Sequence, residues 1–75
     1  MLREEKITDF YGHILGYITT DTITGNKTAY NFYRAILGRY DSNNDVTRDF
    51  YGKIVSRGDT TAALIYNYEN NKQGK

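Results

Sequence analysis

Hydrophobic and polar residues follow one shared pattern in three short segments of this chain. The pattern is Asp/Asn-Phe-Tyr-x-x-Ile-Leu/Val-Gly/Ser-x, and it occurs at residues 9–17, 31–39 and 49–57. Agreement at so many positions in three places is not expected by chance, so we interpret the segments as three copies of one unit.

Each copy predicts a turn followed by a β-strand. Asp or Asn at the first position with Gly three residues later favours a type I turn, in which the first side chain accepts hydrogen bonds from the turn's own amides. Gly12 and Gly52 complete this form in the first and third copies, whereas the second copy has Arg34 at that place. We therefore expect the second copy to form a different turn.

The residues after each turn predict rows of side chains on the two faces of a sheet, because successive strand residues point to opposite faces. One face is predicted to carry an isoleucine row and a row of small residues, and the other face a second aliphatic row. These rows are Ile14, Ile36 and Ile54; Gly16, Gly38 and Ser56; and Leu15, Leu37 and Val55. Both faces are therefore predicted to be partly apolar.

The segments before the turns are also compatible with strands, and the linkers between copies are rich in turn-forming residues. Strands are predicted at residues 5–8, 28–30 and 45–48, and turns at residues 20–27 and 41–44. The simplest assembly is a mainly β fold, an antiparallel meander of about five or six strands built from three turn-and-strand repeats.

The C-terminal segment 59–68 departs from the repeat and is compatible with a short helix or with a strand. Asp59 or Thr60 suits a helix N-cap, and the following alanines and Leu64 favour a helix. Thr61, Ile65 and the tyrosines would also suit a strand. We favour the helix, and we predict one domain at residues 1–68 with a polar tail at 69–75.

Composition restricts the chemistry that this domain can perform. The chain has 75 residues, no cysteine, one histidine and a formal net charge of +1. Disulfides and thiolate zinc sites are therefore excluded, and the charge is not that of a typical nucleic-acid-binding domain. With no signal peptide and no apolar stretch of about 20 residues, we expect a cytoplasmic protein without a membrane partner.

Two local motifs are weak candidates for chemistry. Residues 41–45 have the Asp-x-Asn-x-Asp start of a calcium loop, but Val46 and Gly52 stand where the loop needs Gly and Glu. His13 has no carboxylate or nucleophile at a recognisable spacing, so an exposed strand residue is the better interpretation. We therefore predict no catalytic residue, metal site or cofactor, and a protein that is not an enzyme.

The leading functional hypothesis is an interaction module. One helix can cover only one face of a sheet, and the uncovered aliphatic row would form an apolar patch of the kind that marks interaction sites. So small a core also favours oligomerisation, so we predict a homodimer or docking onto a protein partner. The predicted contact residues are Tyr11, Tyr33, Tyr51, Leu15, Leu37, Val55, Arg39 and Arg57.

Three other interpretations remain open at this point. The repeated tyrosines could pack at the edge of the sheet and serve only the fold. Together with Arg34, Arg39, Arg48, Lys53 and Arg57 they could instead bind single-stranded nucleic acid, against which the low net charge argues. A carbohydrate-binding surface repeat is the third interpretation.

The second half of the chain resembles a known type of sequence. Residues 37–41 followed by residues 46–55 are similar to short bacterial β-hairpin repeat proteins with a Gly-Arg-Tyr-Asp…Thr-x-Asp-x-x-Gly pattern. In those proteins the last unit leads into Gly-Asn/Asp and a small aliphatic stretch, as residues 58–65 do here. The resemblance implies a β-hairpin repeat fold of bacterial origin and no particular activity. A second resemblance, to aromatic hairpin repeats of choline- or glucan-binding surface proteins, implies a carbohydrate ligand.

Overall fold

The computed structural model describes the backbone of residues 2–73, which form an antiparallel sheet with a helix packed on one face. The elements are β1 (Leu2–Thr8), β2 (Ile14–Asp21), β3 (Lys27–Asn31), β4 (Ile36–Asp41), β5 (Val46–Asp49), β6 (Ile54–Arg57) and α1 (Thr61–Gln73). Strand order in the sheet follows chain order, and each strand is antiparallel to its neighbours. The prediction of a mainly β meander with a C-terminal helix is confirmed.

The turns of the meander alternate between the two ends of the sheet. The turns that contain Phe-Tyr join β1 to β2, β3 to β4 and β5 to β6, so all three lie at the same end. The remaining turns, between β2 and β3 and between β4 and β5, lie at the opposite end.

The three Phe-Tyr turns share one set of hydrogen bonds. Asp9 Oδ1 accepts the N–H groups of Tyr11 and His13 at 2.8 and 2.9 Å, and the Gly12 N–H donates to the Asp9 carbonyl. Asn31 and Asp49 accept the equivalent bonds in their own turns. This is a three-residue hairpin loop whose last residue adopts a left-handed conformation.

Arg34 adopts that left-handed conformation without glycine's freedom, with a φ of 67°. Our expectation of a different turn in the second copy is therefore wrong. The capping bonds of Asn31 form the same loop, and they hold Arg34 in a conformation that L-residues otherwise disfavour by about 1 kcal/mol.

A β-bulge follows each of these turns. In the first hairpin Ile7 pairs with Gly16 and Thr8 with Ile14, which leaves Leu15 without a partner. Leu37 and Val55 are the unpaired residues of the other two hairpins. Because a bulge interrupts the strict alternation of side chains, Leu15 and Leu37 pack against the core on the helix side of the sheet. The predicted aliphatic row on the face opposite the glycines is therefore wrong.

The core lies between the sheet and α1, which packs across β2, β3 and β4. Its buried cluster consists of Ile7, Ile18, Ala29 and Ile65, with Leu15, Leu37, Ala62 and Leu64 packed around it. A Cβ on Gly38 would lie 2.3 Å from the Arg48 carbonyl oxygen and 2.7 Å from Leu64 Cδ1. The sheet and helix can therefore approach this closely only where the sheet has no side chain.

A buried threonine connects β5 to the start of the helix. Thr47 Oγ1 donates to the Gly58 carbonyl at 2.7 Å and accepts the Thr60 N–H at 3.0 Å, and Thr47 is fully buried. Asp59 Oδ1 also accepts the Thr61 hydroxyl, and Lys27 pairs with the other Asp59 oxygen. These bonds position the first turn of α1 over the sheet.

The helix confirms the choice that we made for residues 59–68, and it continues to Gln73 within the predicted tail. Residues 74 and 75 lie outside the described residues, and the division into domain and tail stays a prediction. No helix in the described part of the chain has the length and apolar character needed to cross a membrane.

Candidate interaction surfaces

Six aromatic side chains are displayed together at one end of the sheet, on the three Phe-Tyr turns. We call this surface the aromatic end; it consists of Phe10, Tyr11, Phe32, Tyr33, Phe50 and Tyr51. The exposed fractions of these residues run from 50% at Phe32 to 95% at Phe10. Exposed aromatic side chains in such number are unusual on a small protein, and exposed apolar patches are a general feature of interaction sites.

The geometry of the aromatic end repeats from turn to turn. In each Phe-Tyr pair the ring centroids lie 5.4–5.5 Å apart and the ring planes cross at 84–85°, an edge-to-face arrangement. Neighbouring turns are two strands apart, which places them roughly 10 Å from each other. Glu69 of α1 lies beside this end, where it lines an open depression with Gly12, His13, Ile14 and Phe32.

A second surface lies on the sheet face away from the helix. We call it the basic face; it carries Lys6, Tyr17, Tyr30, Arg34, Arg39, Arg48 and Arg57, together with Glu4. Lys6, Tyr17 and Tyr30 are direct cross-strand neighbours, and so are Thr28, Arg39 and Arg48. Directly paired residues share a face of the sheet. Their chain neighbours Gly16, Gly38 and Thr47 lie on the helix side, so the paired residues lie on the other side.

Arg34 reaches back from its turn over this face. Its Cζ lies 4.0 Å from the centroid of the Tyr17 ring, and its two terminal nitrogens contact the Glu4 carboxylate at 2.8 and 3.1 Å. The hydrogen bond from Arg34 lowers the pKa of Glu4 below its usual value. Arg34 is therefore held as a flat guanidinium plane stacked on the tyrosine.

Arg39 and Arg48 lie directly opposite each other on β4 and β5. Arg48 donates to the Gly52 carbonyl at 3.2 Å, and Arg39 is exposed. Like charges in direct cross-strand register destabilise a sheet. Strand register therefore brings two basic residues side by side here, with Asp41 as an acidic group that interacts with Arg48.

The structure divides the predicted contact residues among four places. Tyr11, Tyr33 and Tyr51 meet at the aromatic end, whereas Arg39 and Arg57 lie on strands of the basic face. Leu15 and Leu37 are partly buried and pack against the core. Val55 is 53% exposed on the edge strand β6.

Several residues of these two surfaces were missed in our sequence analysis. Phe10, Phe32 and Phe50 precede the predicted tyrosines in every copy, so the repeat itself carried the signal. Lys6, Tyr17 and Tyr30 join the basic face only through pairing between strands. The charge on that face was invisible in the net charge of the whole chain.

The structure also places the residues that we considered for chemistry. His13 Nδ1 lies 3.3 Å from Asp9 Oδ2, a pairing that the spacing of four within one hairpin loop could have indicated. In the candidate calcium loop, Asp41 accepts hydrogen bonds from Asn43 and Asn44, and Asp45 accepts the Tyr40 hydroxyl at 2.6 Å. Among the described residues there is no group of three or more His, Cys, Asp or Glu placed to hold a metal ion.

Comparison with known proteins identified no matching family model, no similar curated protein and no similar solved structure.

Proposed function

We propose that this chain is a non-enzymatic interaction module that self-associates through the aromatic end. The observation that carries the proposal is the display of six exposed rings on three turns with the same hydrogen bonds. The three turn-and-strand segments then act as copies of one unit, each of which contributes one Phe-Tyr pair to the contact.

The turns prepare these rings for binding. Each loop is held by its Asp or Asn side chain, and each ring pair is already in edge-to-face contact, so little conformational freedom remains to be lost on association. Burying an aromatic side chain contributes about 1.5–3 kcal/mol relative to leaving it in water. Six such residues can therefore supply a substantial driving force from a small area.

A second copy of the chain is the partner whose geometry fits best. Its turns recur at the same spacing of roughly 10 Å, so the rings of one copy can fit between the rings of the other. Edge-to-face pairs can then extend across the interface, because each ring still exposes a face or an edge. A different protein would need to present matching pockets at that spacing.

The test is the solution mass measured by light scattering across a dilution series. We expect the wild-type mass to rise towards twice the 8.7 kDa monomer as concentration increases. The triple variant Phe10→Ser, Phe32→Ser, Phe50→Ser should remain monomeric, because it removes three apolar rings from the contact. A strictly monomeric wild type over the whole series would contradict self-association.

The matched control is the double variant Leu2→Ser, Ile23→Ser. These residues are 69% and 83% exposed and lie at the opposite end of the sheet. The control should self-associate as the wild type does. If it loses association as fully as the phenylalanine variant, the contact is not specific to the aromatic end.

A further inference from the structure

Strand alternation separates charge between the two faces of this sheet. Five of the ten Lys and Arg residues lie on the basic face: Lys6, Arg34, Arg39, Arg48 and Arg57. Glu4, on the edge strand β1, is paired with Arg34. Asp21 and Asp41, at the strand ends, accept N–H groups from their own turns. Five basic side chains therefore face three acidic ones, an excess of positive charge that the near-zero net charge of the chain conceals.

The opposed pair Arg39 and Arg48 points to an anionic ligand. Two arginines directly across a strand pair bring like charges close together, and Asp41 interacts with Arg48 from one side. A phosphate group placed between the two guanidinium groups would reduce their repulsion and could accept hydrogen bonds from both. The pair is therefore a candidate phosphate site.

Aromatic and guanidinium planes lie next to this site. Tyr17 and Tyr30 are direct cross-strand neighbours, and each is partly buried with part of its surface accessible. The Arg34 guanidinium is stacked on Tyr17 and exposes its outer plane. Unpaired bases stack on such planes without regard to sequence.

We propose that the basic face binds single-stranded nucleic acid. The phosphate backbone runs past Arg39 and Arg48, and bases stack on Tyr30 and on the outer plane of Arg34. A duplex hides its base faces, and a bilayer surface offers no planar bases to stack on Tyr30 and Arg34, so neither uses all of these features. The basic face is separate from the aromatic end, so this inference does not depend on the proposed function.

The test is fluorescence anisotropy of a labelled oligodeoxythymidylate over a range of salt concentrations. Lys6, Arg39, Arg48 and Arg57 offer about four phosphate contacts, so the logarithm of the binding constant should fall against the logarithm of salt with a slope of about −3. An oligouridylate should bind comparably, because nothing in the site is arranged to read the sugar.

Arg39→Thr separates this inference from a general effect of charge. The variant should weaken oligonucleotide binding about tenfold at low salt and make the salt slope less steep by about 0.7. Its thermal midpoint should stay the same or rise, because the repulsion with Arg48 is relieved. Arg3→Thr removes the same charge from the helix side of β1, where Arg3 pairs with Thr20, and it should leave binding within about twofold of wild type.

The rings are tested by Tyr30→Leu and Tyr30→Phe. The leucine variant should weaken binding about tenfold with an unchanged salt slope, because stacking carries no counterion release. The phenylalanine variant should retain binding. The inference is overturned if the wild type does not bind the oligonucleotide at low salt or binds duplex DNA or anionic vesicles equally well. An equal loss in the Arg3→Thr control would also overturn it.

Discussion

The first two Phe-Tyr hairpins and the third one have the same local structure but different surroundings. All three share the capped turn and the bulge that follows it. Leu15 and Leu37, the bulge residues of the first two hairpins, pack into the core, whereas Val55 of the third is 53% exposed. Covering by the helix, and not the local motif, therefore decides whether a repeated apolar residue belongs to the core.

Covering by the helix also explains whether glycine or serine follows the bulge. Gly16 and Gly38 lie under Ile65 and Leu64 of the helix, and neither place has room for a Cβ. Ser56 takes the equivalent position on β6, where its hydroxyl contacts the Thr60 hydroxyl at 2.6 Å. The helix packs across β2, β3 and β4, so the edge strand β6 has room for a side chain at this position.

The largest effect is expected from Gly38→Ser. This change places in the second hairpin the serine that the third hairpin has at the equivalent position, Ser56. Its Cβ would meet the Arg48 carbonyl and Leu64, and the carbonyl cannot yield without disturbing the sheet. We expect a loss of about 3 kcal/mol in the free energy of unfolding, measured by urea denaturation. The reverse change, Ser56→Gly, should cost only about 1 kcal/mol. Equal losses would remove the distinction between the hairpins.

The next largest effect is expected from Leu37→Ala compared with Val55→Ala. The first change removes methyl groups packed against the core and should cost about 2 kcal/mol. The second trims an exposed side chain at the equivalent position and should change stability by less than about 0.5 kcal/mol. A larger loss for Val55→Ala would mean that the third hairpin is covered in solution, for example by a second copy.

Thr47→Val tests how the helix is tied to the third hairpin. The change removes the two hydrogen bonds that Thr47 makes to residues 58 and 60 and leaves their buried backbone groups unsatisfied. We expect a loss of about 1.5 kcal/mol in the free energy of unfolding. Thr28→Val, on the opposite face of the sheet, should stay within about 0.5 kcal/mol of wild type. Similar losses at both positions would contradict an anchoring role.

The smallest effect is expected on thermal stability at low pH. It concerns Asp9 and Asn31, the capping residues of the first and second hairpins. The N–H of His13, with that of Tyr11, lowers the pKa of Asp9 below its usual value. Because the folded-state pKa is lower than the unfolded one, this stabilisation is present above about pH 4 and is lost as pH falls through the folded-state value.

Asn31 makes the same bonds in the second hairpin with an amide that does not titrate. Asp9→Asn should therefore keep the turn and reduce the fall in thermal midpoint between pH 5 and pH 3. Asn31→Asp should make that fall steeper. A pH profile that neither variant alters would show that the caps contribute nothing to acid sensitivity.

Local interactions explain why much of the fold could be predicted. The capping bonds join residues two and four positions apart, so Asp9 or Asp49 forms its turn wherever the segment lies in the chain. The turn at Asn31 was not predicted, because Arg34 stands where the other two copies have glycine. The helix after Asp59 likewise follows from its capping residues and helix-forming alanines. The bulges could not be predicted, because alternation within a strand does not reveal an extra residue that becomes unpaired only against its neighbour.

The two candidate surfaces also differ in whether they could be predicted from the sequence. The aromatic end was implicit in the sequence, since the Phe-Tyr pairs recur at equivalent positions and turns at alternate strand ends must meet at one edge. The basic face was not, because Tyr17 meets Tyr30, and Arg39 meets Arg48, only through strand register. By itself the sequence determined the strands, the helix and the turns of the first and third hairpins, which follow from side-chain pattern and from bonds between near neighbours. Only the tertiary structure decided which face the helix covers and where charge gathers, because both depend on contacts between residues far apart in the chain.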